Sequence, residues 1–189
     1  MRKLTLFTAT ALSLFAASDA AFAHTGHTTS GLAAGLAHPM VGLDHLLAML
    51  AVGVWAAMQP TSRAWQGPAV FVALLTVGAT IGLNGYSMPF VEPVILASVI
   101  LFGAMIAAGR YLPASAGLVM IGAFALLHGH AHGTEAVGAI ATYMAGFVAA
   151  SALLHLTGYA IGRTAVLFRY GIPATGFALA AAGVALAGA

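Results

Sequence analysis

The sequence predicts an all-α fold: a polytopic membrane bundle of six transmembrane helices preceded by a cleaved signal peptide. Three observations carry this prediction. Charge is scarce, the apolar runs are long and unbroken, and the N-terminus has the layout of an export signal. Of the 189 residues, 61% are hydrophobic and only 5% are Asp, Glu, Lys or Arg, against about 25% charged residues in a soluble domain. So few charges cannot cover a water-facing surface, and lipid becomes the solvent for most of the chain. Helices are favoured over strands because the apolar runs lack the alternation of a lipid-facing barrel strand.

The first element is the export signal. Arg2 and Lys3 form a basic start, residues 4–17 form an apolar run, and Ala21-Phe22-Ala23 supplies a small-x-small cleavage pattern. That run is short for a span of about 20 residues. Residues 1–23 therefore read as a signal peptide and residues 24–189 as a single six-helix transmembrane domain with an external N-terminus.

Six apolar segments follow, at residues 32–58, 68–83, 91–109, 112–128, 135–162 and 172–187. Each is close to the roughly 17–25 residues a helix needs to cross the hydrocarbon. Turn chemistry separates them at Gln59-Pro60-Thr61-Ser62, at 84–89 and at 169–173. Gly31-x-x-x-Gly35 and Gly78-x-x-x-Gly82 place small residues four apart, which lets helix backbones approach closely in lipid. With the N-terminus outside, the loops after segments one, three and five face the cytoplasm. Those loops carry Arg63, Arg110, Arg163 and Arg169, every Lys or Arg beyond the signal peptide, as the positive-inside bias requires. The expected location is the bacterial inner membrane, multi-pass, with lipid as the principal partner.

Composition also excludes. The pI of about 9.3 arises from six scattered basic residues that form no patch, so nucleic acid is not a partner. With no cysteine, there are neither disulfides nor thiolate metal sites. No G-x-x-x-x-G-K-[ST] is present, so the chain has no ATPase chemistry of that kind. The sequence favours no particular oligomer.

Histidine is the unusual residue, with eight against four carboxylates. His38-Pro39-Met40-Val41-Gly42-Leu43-Asp44-His45 lies in the first segment, and His128-Gly129-His130-Ala131-His132-Gly133-Thr134-Glu135 joins the fourth to the fifth, both towards the outer face. Ionisable side chains at membrane depth are costly and mark sites facing the bundle interior or water. Imidazole with carboxylate suits nickel, cobalt or zinc, and this ligand chemistry does not separate them. His38, Asp44, His45, His128, His132 and Glu135 are the candidate metal ligands.

Spacing constrains these motifs. His128 and His132, four apart, share a helix face, but Glu135 lies seven from His128, about 10 Å along a straight axis. Metal–nitrogen bonds of about 2 Å make that too far for one site. The same holds for His38 and His45. Broken or unwound helices are therefore expected at 39–42 and 129–133, with one site shared between the first segment and the fourth–fifth junction. Glu92, His130, His24, His27 and His155 are further candidates. The last, towards the inner end of the fifth segment, reads as an exit ligand or a helix–helix hydrogen-bonding residue.

At these residues the sequence resembles the HupE/UreJ family of nickel and cobalt permeases and hydrogenase/urease accessory proteins. That family is marked by H-x5-D-H, met by His38, Asp44 and His45, and by F-H-G-x-A/V-H-G-x-E, met by His128, Gly129, Ala131, His132, Gly133 and Glu135. Leu127 replaces the phenylalanine, and His130 occupies the variable position. Pro89-Phe90-Val91-Glu92 with Ala97-Ser98-Val99 is similar to the family's third-span segment. The resemblance implies uptake of Ni2+, with Co2+ as the other candidate substrate, by a secondary or facilitated route. It implies no organic cofactor and a supply line to hydrogenase or urease through their maturation proteins. Ligation needs neutral imidazole, so acid would weaken capture. The alternatives are an intramembrane metal-dependent hydrolase, in which a metal with an open position activates water, and a metal-binding assembly factor that does not transport.

Overall fold

A computed structural model describes residues 31–136 and 139–188. The signal peptide expected at residues 1–23, and His24 and His27, lie outside the described residues. Among the described residues there is no strand. The helices are α1 (Leu32–Val41), α2 (Leu43–Met58), α3 (Gln66–Leu83), α4 (Val91–Ala107), α5 (Ala114–Thr134), α6 (Ile140–Ala165) and α7 (Gly171–Ala187), with a 3-10 turn at Gly109–Tyr111. Each predicted apolar segment corresponds to a helix or, in the first case, to a pair. Three helices, α3, α5 and α6, are long and apolar enough to cross a membrane, and the bent α1–α2 pair makes up to four. The apolar helices α4 and α7 have 17 residues each.

The first segment is broken where Pro39 and Gly42 predict. Pro39 lacks an N–H and crowds the carbonyl four residues back, and Gly42 adopts extended backbone between the two helices. The axes of α1 and α2 meet at 89°, so α2 alone runs down the bundle. The second expected break is absent. Helix α5 is continuous through Gly129 and Gly133 to Thr134, because these glycines serve contact rather than flexibility. A Cβ on Gly129 or Gly133 would strike the carbonyl of Leu75 or Ala79 on α3, and Gly78 and Gly82 meet the backbone of α5 at Leu126 and His130 in return. Two small-x-x-x-small faces interlock, the geometry by which lipid-embedded helices pack.

The same device joins α6 to both parts of the first segment. Gly35 and Gly146 bring α1 against the N-terminal end of α6, and Gly53 and Gly158 bring α2 against its middle. Between the helices lies a core that includes Met49, Phe71, Leu75, Phe102, Ile121 and Phe147, all fully buried. Large apolar residues such as Val119, Leu153, Leu156 and Phe177 point outward instead. An outward apolar surface suits lipid and not water.

Candidate metal centre

Interlocking of α3 and α5 decides where the second motif points. Gly129 and Gly133 face α3, so His128 and His132, each about 100° away around the helix, turn towards α1, α2 and α6. The bend at Gly42 brings the first motif to meet them. His38 lies near the end of α1, while Asp44 and His45 occupy the first turn of α2. His38, Asp44, His45, Glu92, His132 and Glu135 line one cavity of about 300 Å³. Glu92 reaches it from the first turn of α4.

Ligand atoms of His38, His132 and Glu135 lie within 4.8 Å of one another. His38 Nε2–H donates to Glu135 Oε2 at 2.9 Å. Donors sharing one ion at about 2 Å stand roughly 3–4 Å apart, so small side-chain adjustments bring this trio to bonding distance. Glu135 is exposed at the mouth, whereas His132 is 1% and His128 0% exposed. The imidazoles run inward in contact: His38 to His132 at 4.7 Å between centroids, His132 to His45 at 4.6 Å, and His45 to His128 at 5.1 Å.

Hydrogen bonds select which nitrogens remain available. The His45 Nδ1–H donates to Asp44 Oδ1 at 2.8 Å, and the His45 backbone N–H donates to the same oxygen. The His128 Nδ1–H donates to the Phe124 carbonyl at 2.8 Å; a carbonyl can only accept, so the proton sits on Nδ1. In both residues Nε2 is left bare and buried, and neither nitrogen of His132 has a partner among the described residues. A carboxylate or carbonyl holding the far nitrogen of an imidazole is the arrangement that orients metal-binding histidines.

The six sequence candidates therefore converge without forming one coordination sphere. Since α5 does not bend, Glu135 groups with His38 and His132, and His128 lies deeper. Asp44 is committed to His45. Glu92 is a cavity wall. His130 points away, donating from Nε2 to the Tyr86 carbonyl at 2.7 Å and fastening the α3–α4 loop to α5. His155 lies beneath the cluster on α6.

The profile described as HupE / UreJ protein matches residues 12–186. The chain belongs to the HupE/UreJ family. It is similar to Protein HupE of Rhizobium leguminosarum bv. viciae, with 38% identity over 183 residues, covering 95% of this chain and 94% of the relative. No solved structure matches significantly. In this HupE/UreJ protein, the two histidine motifs come from helices distant along the chain and meet at one cavity.

Three aromatic neighbours were not foreseen. The Tyr143 ring lies 5.7 Å from that of His38, and its buried hydroxyl has no partner among the described residues. Phe147 packs at 4.0 Å against His132, and Phe71 at 5.7 Å against His128. An aromatic in an apolar helix carries no mark in sequence that separates a site wall from ordinary core.

Proposed function

We propose that this protein takes up a divalent metal, Ni2+ or Co2+, across the bacterial inner membrane by a secondary or facilitated route, to supply a metalloenzyme such as hydrogenase or urease. Convergence of His38, His132 and Glu135, from two separate motifs, within 4.8 Å is the observation that carries the reading. The helix ends that surround the cavity are those expected outside. Helices α2, α4 and α6 lead away from it towards Arg63, Arg110, Arg163 and Arg169, of which Arg163 lies in the last turn of α6 rather than in the loop beyond it. With the helices at 17 residues counted as spans, the chain crosses six times from a periplasmic N-terminus, residues 24–189 forming one domain behind the signal peptide.

In this reading Glu135 and His38 meet the hydrated ion at the mouth and His132 completes capture as water is shed. His45 and His128, held by Asp44 and the Phe124 carbonyl, present bare Nε2 atoms for the next contact. Of the three carboxylates that line the cavity, Asp44 and Glu135 are engaged with histidines and only Glu92 is left for proton transfer, which favours transport over hydrolysis.

Cells producing His132→Ala or Glu135→Gln protein at normal membrane levels should lose Ni2+ uptake by at least about tenfold, the scale of removing a directly bonding group. Unchanged uptake in both variants rejects the assignment.

A further inference from the structure

The buried serines and histidines of the bundle differ in how fully they are hydrogen-bonded. Ser98 and Ser151 donate to carbonyls of their own helices, Ile95 and Phe147, and His130 donates to Tyr86. His45, His128 and His130 each leave one ring nitrogen without a partner among the described residues, and His132 and His155 leave both. His45, His128 and His132 belong to the cluster at the cavity. His155 does not. It is 3% exposed, and neither of its nitrogens is partnered. A histidine retained for helix–helix bonding would use one of them across an interface, so that expectation fails.

Two helices place His155 at the same depth. On α6 it is eight residues beyond Phe147, whose ring touches His132. On α2 its backbone carbonyl packs against Gly53, eight residues beyond His45. At 1.5 Å per residue, both counts put it about 12 Å inward of the outer cluster. It is thus at mid-bundle, ten residues before the end of α6, rather than towards the inner end. Phe71 spans the interval: its ring lies 5.7 Å from His128 on one side and 4.9 Å from His155 on the other.

We propose that His155 is a second, weaker binding position for a borderline divalent cation, reached after His128 on the way inward. An unpaired imidazole nitrogen in an apolar setting offers such an ion its first ligand below the cluster. A site with a single imidazole suits transit, because conduction needs a position that an ion can leave as readily as it enters. The transport role rests on the proposed function, whereas binding at His155 is read separately.

Co2+ titrated into the purified full chain in nanodiscs, with histidine rings labelled with nitrogen-15, tests the proposal. A first equivalent should perturb the outer imidazoles, and a second, weaker one should broaden the His155 resonance. In His155→Asn protein the first equivalent should be retained within about twofold while Co2+ flux into proteoliposomes falls by about tenfold or more. A His155 signal untouched by saturating Co2+, or full flux in folded His155→Asn and His155→Leu proteins, overturns it. Failure of the outer-site reading has a different signature. There, His38→Ala/Glu135→Ala protein would bind the first equivalent as tightly as the unaltered chain, with His155 still judged from its own resonance.

Discussion

Asp44 accepts two hydrogen bonds from His45, one from the backbone N–H and one from Nδ1, each at 2.8 Å. In the proposed function its carboxylate acts on the metal through the imidazole it orients. An asparagine can still accept from Nδ1–H, although without charge, whereas alanine cannot. Equilibrium Ni2+ binding should accordingly weaken about 10–100-fold in Asp44→Ala and clearly less in Asp44→Asn. Equal losses in the two variants would mean that Asp44 is itself a ligand. The residue types and their spacing made this group visible in sequence, because histidines and acids are expensive in lipid. Their separate roles were not visible. Whether Asp44 touches metal or His45 depends on a side-chain rotation at the start of α2, and Tyr143 is an unremarkable aromatic until His38 is seen beside it.

At the scale of helices, the same residue type does opposite things in the two motifs. Gly42 breaks the chain between α1 and α2, and Gly129 and Gly133 keep α5 straight against α3. In sequence both look like hinges, since nothing local to Gly129 reveals that Leu75 of another helix fills the space above it. The break at Gly42 was legible because Pro39 sits nearby and removes a helix hydrogen bond by covalent structure alone. Two outcomes follow. Gly129→Val forces α3 and α5 apart and should destabilise the folded protein by at least about 2 kcal/mol, read as a lower thermal unfolding midpoint in detergent. Gly42→Ala places a Cβ 2.9 Å from His45 Nδ1 and 3.0 Å from Asp44 Oδ1, so it should weaken metal binding while the unfolding midpoint stays nearly constant.

For the whole molecule, the segment boundaries were legible because turn residues and arginines interrupt the apolar runs, and helix continuity within them follows from lipid leaving no other partner for the backbone. The lateral arrangement was not, as a glycine spacing names no partner helix. Topology follows from which ends share the cavity. The chain has no cysteine, so introduced cysteines report sidedness cleanly. Ser87→Cys, on the α3–α4 loop at the same end of the bundle as the cavity, should react with an impermeant thiol reagent from outside, and Ser62→Cys, on the α2–α3 loop, only after permeabilisation. The reverse pattern would invert the bundle and place the cavity on the cytoplasmic face. The most direct test of the account is Ni2+ flux into proteoliposomes containing the purified chain, with Co2+ and Zn2+ as competitors. Saturable Ni2+ entry, competed by Co2+ and lost in His132→Ala, is the predicted result. Tight Ni2+ binding with no entry above protein-free vesicles would contradict it and leave a metal-binding assembly factor in its place.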